Sequence, residues 1–301
     1  MDFVRQDRVD SATALRWAAL PRSHSDAVML GLLLCGVAVL YLPTYWDLSH
    51  SIWQSPDQSQ GPLMLLASLW LLFDRRGAIA ALPGRPLNRL GGGVLAIGLL
   101  MYVVGRSQSI WVFEVGSQLF VFSALLLLFK GVAALRLAGF AIFFLIFMVP
   151  LPGPLVAAVT GPLKAGVSYV ASELLFAFGY PVSRAGVILT VGPYLILVAD
   201  ACAGLTSMFS LEAVGLLYLN IVKHPSAFRN TLLALLVIPI AFCANVVRVL
   251  LLVLVTYYFG DAAGKGFLHA FAGMVLFLVA LLLILAVDTL VGRVMRSRVP
   301  T

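Results

Sequence analysis

Charged residues are scarce in this 301-residue chain, since only 11% are Asp, Glu, Lys or Arg, against about 25% in soluble domains. Hydrophobic residues make up 61%, and this imbalance excludes an ordinary soluble globular protein. Acidic residues are the scarcer charged class, 13 against 20 basic ones, which gives a formal charge of +7. We expect no nucleic-acid binding from this excess, because basic residues gathered on one side of a membrane protein explain it.

Cysteine and metal-ligand patterns are equally sparse. The three cysteines, Cys35, Cys202 and Cys243, are an odd number without a CxxC spacing, so neither a disulfide framework nor a zinc knuckle is indicated. No HExxH motif and no glycine-rich phosphate loop is present. The sequence therefore predicts neither a metal nor a cofactor, and at least one cysteine needs another explanation.

Long apolar runs separated by short polar or basic stretches recur along the whole chain. This pattern predicts an all-α polytopic membrane protein in which residues 1–301 form a single membrane-embedded domain. About eight transmembrane helices are expected, at residues 27–45, 58–73, 90–105, 110–129, 137–151, 202–220, 230–258 and 267–290. Pro239 predicts a kink within the long seventh span rather than a second crossing.

The basic residues predict the orientation of these spans. If both termini are cytoplasmic, the cytoplasmic segments hold 15 of the 20 Lys and Arg residues, which the positive-inside rule favours. Residues 1–26 then form a cytoplasmic N-terminal segment and residues 291–301 a cytoplasmic tail. The 15 residues are Arg5, Arg8, Arg16, Arg22, Arg75, Arg76, Arg85, Arg89, Lys130, Arg136, Lys223, Arg229, Arg293, Arg296 and Arg298.

The same parity puts residues 152–199 entirely on the outer side of the membrane. Their first half is apolar but carries Lys164 and several prolines, which favours a helix lying at the interface rather than a ninth span. The second half has β-branched residues around Gly192-Pro193, which predicts a β-hairpin. We therefore expect a small cap over the outer face.

Cys202 is the first residue with catalytic potential. Asp200 is a good N-cap for the span that follows, which puts Cys202 in its first turn, where the helix dipole favours a thiolate. The negative charge of Asp200 opposes this effect, and a nearby guanidinium would outweigh it. The alternative is an inert, small apolar helix residue.

Arg248 is the most informative residue, because it interrupts an apolar span with no other charge nearby. An arginine there costs several kcal/mol by insertion scales, so it should face a polar site. Asn245 lies three residues earlier and shares its face. The alternative is an arginine that reaches the lipid headgroups or pairs structurally.

His269 begins the last predicted span and is a candidate general acid or base, although a structural hydrogen-bonded histidine is the alternative. Three predicted spans thus present Cys202, Arg248 and His269 near one boundary of the bilayer. One shared site explains this joint occurrence better than three independent accidents.

The order and surroundings of these residues resemble the exosortase/archaeosortase family of membrane transpeptidases. The resemblance lies in Asp200-Ala201-Cys202-Ala203-Gly204-Leu205, Asn245-Val246-Val247-Arg248 and His269 with Gly273, and in the preceding Pro150-Leu151-Pro152 and Val182–Gly186 stretches. Two positions depart from the family pattern. Ala203 stands where serine is frequent, and Gln60 stands where many members have histidine.

The resemblance implies a cysteine protease or transpeptidase of the bacterial inner membrane, in bacteria that also make exopolysaccharide. Its substrates would be membrane-anchored proteins whose C-terminal sorting signal has a Pro-Glu-Pro type motif, a helix and a basic tail. It also implies Cys202 as nucleophile, Arg248 as transition-state stabiliser and His269 as general acid or base.

Supporting roles go to Asn245, Asp200 and Gly204, while Arg184 and Lys164 in the cap are candidates for binding the acidic motif. A non-enzymatic transporter or scaffold of exopolysaccharide export, with Arg248 as an anion-binding residue, is the competing class. A serine intramembrane protease would have to use Ser207 or Ser210, whose surroundings resemble no such family.

Overall fold

The computed structural model describes residues 24–55, 58–198, 205–222, 226–270 and 272–296. Helices make up most of these residues, and each predicted span has a helical counterpart, which confirms a polytopic all-α membrane protein. The helices are α1 (His24–His50), α2 (Gly61–Ala81), α3 (Asn88–Gln108), α4 (Trp111–Phe129), α5 (Val132–Phe144), α6 (Gly153–Ala177), α7 (Leu205–Val222), α8 (Ala227–Phe259), α9 (Asp261–Ala270) and α10 (Ala272–Arg296). Short 3₁₀ turns follow α1 and α5, at Ile52–Gln54 and Leu145–Met148.

Within the described part of the chain, six helical stretches are long and apolar enough to cross a membrane. They are Gly31–Gln54, Asn88–Gln108, Trp111–Phe129, Gly153–Ala177, Phe228–Phe259 and Met274–Arg293. Val132–Met148 and Leu211–Val222 are shorter apolar helices. Helix α2 has sufficient length, but it carries the consecutive charges Asp74, Arg75 and Arg76.

The chain divides into two compact units, Met1–Pro150 and Leu151–Thr301. In the first unit, α3 and α4 pack closely because α3 presents buried glycines at seven-residue intervals, Gly91, Gly98 and Gly105. Each faces an α4 residue, in order Leu128, Val121 and Glu114. Such a seam of small residues lets two helices approach each other in lipid.

A buried carboxylate links three helices of the first unit. Glu114 of α4 is 2% exposed and accepts hydrogen bonds from Thr44 of α1, at 2.7 Å, and from Arg106 of α3, at 2.9 Å. Arg106 also pairs with Asp47 at 2.6 Å. Burying a charge in an apolar bundle requires such partners, and these contacts join α1, α3 and α4.

The second unit contains a three-stranded antiparallel sheet in the order β1-β2-β3, formed by Val182–Ala185, Ile188–Val191 and Tyr194–Leu197. The predicted hairpin around Gly192-Pro193 is present, and a second turn at Gly186-Val187 adds the first strand. Gly186 and Gly192 have φ values of +63° and +53°, which suit the first position of two-residue hairpin turns. The sequence pattern therefore predicted one of two consecutive hairpins.

This sheet packs against α6 and α8. Its buried core combines Val167, Ala171 and Leu175 of α6 with Leu189, Val191, Ile196 and Val198 of the sheet region and Val246, Val249, Leu252 and Val253 of α8. Gly166 lies against the ring of Phe242, and fourteen residues further on Tyr180 packs edge-on against Tyr257 at 5.5 Å. The second half of α6 therefore runs parallel to α8.

Helix α6 forms the first half of the segment that was predicted to lie at the membrane interface. Gly153–Ala177 is long and apolar enough to span a membrane, so the surface position expected for residues 152–199 stays a prediction.

We predict that cysteines introduced singly as Gly153→Cys and Phe178→Cys, in a chain without its native cysteines, both react with an impermeant maleimide added outside spheroplasts. Both positions are exposed at opposite ends of α6, so a surface helix makes both accessible from outside. Arg293→Cys is the control for the cytoplasmic side. Labelling of Gly153→Cys only after the membrane is permeabilised would show that α6 crosses it.

Candidate active site

Arg248 is buried in α8, with 6% of its surface exposed, and Asn245 one turn earlier is 1% exposed. The apolar sequence around them forms one continuous helix from Ala227 to Phe259, with Pro239 inside it. This agrees with the prediction of a single long helix. Arg248 is therefore packed inside the protein, and the polar site expected around it stays a prediction.

The face of α8 that carries Arg248 can be identified from its neighbours. Ala241, Ala244 and Arg248 are spaced by three and four residues, so they lie on one helix face. Ala241 and Ala244 belong to a buried cluster with Leu211 of α7 and with Leu276 and Ala280 of α10. Arg248 thus lies on the side of α8 that contacts α7 and α10.

Helices α7 and α8 are joined by a short connection and pack as neighbours. Gly215 of α7 lies directly against Val237 of α8, where an added Cβ would come within 2.8 Å of the valine methyls. Leu211, one turn earlier in α7, shares a cluster with Ala241, one turn later in α8. These contacts define an antiparallel register in which the start of α7 lies alongside the region of Arg248.

Helices α9 and α10 follow α8 back in the same antiparallel sense. Gly264 of α9 lies against Thr256 near the end of α8, and Leu276 of α10 shares a buried cluster with Ala244. The glycine at position 264 is required by this contact, since a side chain there would collide with the threonine. These two contacts lie at the two ends of residues 244–256 of α8.

An ion pair at the other end of α8 fixes the same three helices. Arg229 of α8 donates to Oδ1 of Asp288 in α10, from Nη2 at 2.6 Å and from Nε at 2.9 Å. The Tyr218 hydroxyl of α7 donates to Oδ2 of the same carboxylate at 3.1 Å. Asp288 is 8% exposed, and it forms a clamp between α7, α8 and α10.

The predicted site residues differ in what the structure says about them. Cys202, Asp200 and Gly204 lie outside the described residues. His269 belongs to α9 (Asp261–Ala270), and its side chain also lies outside the description. The span expected at 267–290 corresponds to the last residues of α9 and to α10, Ala272–Arg296.

Arg184 and Lys164, the predicted substrate-binding residues, belong to one corner of the second unit. The carbonyl of Gly186 in the β1–β2 turn accepts from Nη1 of Arg184 and from the Ser168 hydroxyl of α6, each at 3.2 Å. Lys164 lies one turn before Ser168 on the same face of α6. Arg184 also stacks over the Tyr169 ring at 5.3 Å.

Sequence reasoning missed two features of this region. Oδ1 of Asn245 is buried and has no hydrogen-bond partner among the described residues, which leaves an acceptor next to Arg248. The ion pair between Arg229 and Asp288 was also missed, because the sequence pattern assigned Arg229 only to a loop.

Among the described residues, no three His, Cys, Asp or Glu side chains gather as a metal site requires. The two described cysteines, Cys35 and Cys243, have exposed thiols on apolar helices.

Together these features define a polytopic membrane protein with a buried arginine on a face of α8 that contacts two other helices. The model of the transmembrane exosortase family (Exosortase_EpsH) matches residues 52–286, which is most of the chain. The protein therefore belongs to the transmembrane exosortase family. Comparisons with curated proteins and with solved structures give no match.

We predict that Asp288→Ala lowers the free energy of unfolding by about 1–3 kcal/mol, since it leaves the Arg229 guanidinium and the Tyr218 hydroxyl without their shared acceptor. The measurement is reversible unfolding of the purified protein in mixed micelles. Thr289→Val is the matched control, because the neighbouring Thr289 is exposed and bonds only its own helix, at Leu285. Equal stability of the two variants would contradict the clamp.

Proposed function

We propose that this exosortase-family protein is a cysteine protease or transpeptidase acting at the periplasmic face of the bacterial inner membrane. Its substrates are exported proteins anchored by a C-terminal sorting signal, which has a Pro-Glu-Pro type motif, a helix and a basic tail. The observation that carries the proposal is the buried Arg248, on the face of α8 that contacts the helices following Cys202 and His269.

The helix registers support bringing Cys202 and His269 to the depth of Arg248. In the α7–α8 register, Gly215 is opposite Val237 and Leu211 matches Ala241, so the first residue of α7, Leu205, is within a turn of the level of Arg248. In the packing of α9 and α10 against α8, Gly264 is opposite Thr256 and Leu276 is in the same cluster as Ala244. Interpolation between these two contacts brings residue 269 level with residue 251, about one helical turn from Arg248.

In the proposed reaction the Cys202 thiolate attacks the carbonyl carbon of the scissile peptide bond, and the carbonyl oxygen becomes an oxyanion. Arg248 donates hydrogen bonds to that oxyanion. His269 protonates the leaving amine as the carbon–nitrogen bond breaks, which leaves a thioester on Cys202. An incoming amine or water then gives a proton to His269 and displaces the thiol.

Supporting residues hold these groups in place. The uncommitted Oδ1 of Asn245, one turn from Arg248, accepts a donor of the bound substrate or orients the guanidinium. Asp200 and Gly204 are proposed to support Cys202, on the basis of the family resemblance of their sequence alone. Ala203 in place of serine removes a hydroxyl but leaves the nucleophile intact.

The corner formed by Arg184 and Lys164 is the proposed contact for the acidic residue of the sorting motif. Arg184 is exposed, its guanidinium stacks over Tyr169, and Lys164 lies about a turn of α6 away. A carboxylate pairs well with a guanidinium held in this way. The distribution of basic residues supports cytoplasmic termini, which gives this corner a periplasmic position.

Cys202→Ala tests the proposal directly. We expect loss of cleavage of a reporter carrying such a C-terminal signal, with unchanged membrane insertion, because the nucleophile is removed without changing the helix. Processing is followed by the mobility of the reporter, and a thioester adduct is sought on the wild-type enzyme by mass spectrometry. Cys243→Ala is the control. Continued cleavage by Cys202→Ala would overturn Cys202 as the nucleophile, and absence of cleavage by the wild-type protein would favour the transporter or scaffold class.

Arg248→Lys should lower kcat for the same reporter by about 10²–10³-fold, since lysine keeps the charge but loses the planar pair of donors. Substrate binding to the variant should change little, because the oxyanion exists only in the transition state. The measurement is single-turnover cleavage in nanodiscs at several substrate concentrations. A change in KM with unaltered kcat would assign Arg248 to substrate anchoring instead.

A further inference from the structure

The two edges of the small sheet are in different surroundings. Strand β3 packs against α8, and Ile196 within it is 8% exposed. Strand β1, at the other edge, lies near α6, but its residues Ser183, Arg184 and Ala185 are exposed. A strand with an open edge is a template on which another extended chain can pair.

Hydrogen-bond alternation identifies which groups of β1 face outward. Ala185 and Ile188 close a two-residue hairpin turn and are therefore a hydrogen-bonded pair. The pairs alternate, so Arg184 opposite Leu189 is a non-hydrogen-bonded pair, and the bond from Gly192 N–H to the Pro181 carbonyl agrees with this parity. The N–H and C=O of Arg184 thus point away from β2.

Side chains beside this edge offer a cation and an apolar recess. Arg184 stacks over Tyr169, and among the described residues no carboxylate forms an ion pair with it. A recess of about 300 Å³ lies next to the strand, lined by Phe176, Tyr180, Pro181, Val182, Ser183, Thr190 and Gly192. An extended peptide with one acidic and one apolar side chain complements both.

We propose that β1 is the substrate-docking strand, on which an extended segment of the substrate pairs through the main-chain groups of Arg184 and becomes a fourth strand. This inference rests on the proposed function, since it takes the substrate to be a peptide. An acidic side chain of that segment pairs with the Arg184 guanidinium, and a neighbouring apolar side chain fills the recess. Recognition then depends on main-chain hydrogen bonds as well as on sequence.

The sheet connects this edge to the region of Arg248. Strands are spaced by about 4.8 Å, so β1 lies roughly 10 Å from β3. The sheet rests on Val246 and Val249 of α8, residues within two positions of Arg248. A peptide docked on β1 is therefore at the same end of α8 as Arg248, although the sheet and the arginine are on different faces of that helix.

The test measures binding of a fluorescein-labelled peptide to the full-length Cys202→Ala variant in nanodiscs. The probe is an eight-residue peptide of alternating threonine and valine with one central glutamate. Two further peptides carry main-chain N-methyl groups, one on its odd-numbered residues and the other on its even-numbered residues. The methyl groups of one parity remove main-chain donors facing β1, so we expect about tenfold weaker binding for that peptide and little change for the other.

Arg184→Gln should weaken binding of the unmodified peptide about tenfold, whereas Leu195→Ala, at an exposed position of β3, should leave it unchanged. Equal effects of the two methylated peptides, or normal binding to Arg184→Gln, would overturn the docking proposal. The two proposals fail separately, because loss of cleavage in Cys202→Ala tests the nucleophile, whereas the parity of methylation tests only the docking strand.

Discussion

The cost of holding an ionised group inside an apolar bundle is the constraint on which the rest of this structure depends. Arg248 is buried in α8, and the helix face that carries it continues the contact surface with α7 and α10. A membrane helix gains little from hydrophobic association in lipid, so packing of small residues and polar bonds must set its position against its neighbours. In the second unit these are the contacts of Gly215, Gly264 and the Asp288 clamp.

The clamp and the buried arginine stand at separate points of α8, 19 residues apart in sequence between Arg229 and Arg248, or about 28 Å along a straight helix. That distance is close to the thickness of the hydrocarbon core. Near one end of α8, Arg229 forms an ion pair with Asp288, and near the other end is Arg248, which the proposed reaction uses. A clamp at the far end fixes the axial register of α7, α8 and α10.

The first unit meets the same constraint in a different way. Glu114 is accommodated by Thr44 and Arg106, and the glycine seam of α3 brings α4 close enough for these contacts. The second unit also contains a sheet whose inner residues pack on α6 and α8. Pairing between its strands and packing on the two helices satisfy main-chain groups that a membrane would leave without partners.

By itself the sequence determined the membrane class and the helices that correspond to the eight predicted spans, because apolar length acts locally. It also predicted the turn at Gly192-Pro193, since glycine and proline mark turns through their own backbone preferences. Only the tertiary structure decided the third strand, the burial of Arg248 between helices and the partners of Asp288. Those features depend on which helix faces lie together, and helical periodicity carries no information about the neighbour across the contact.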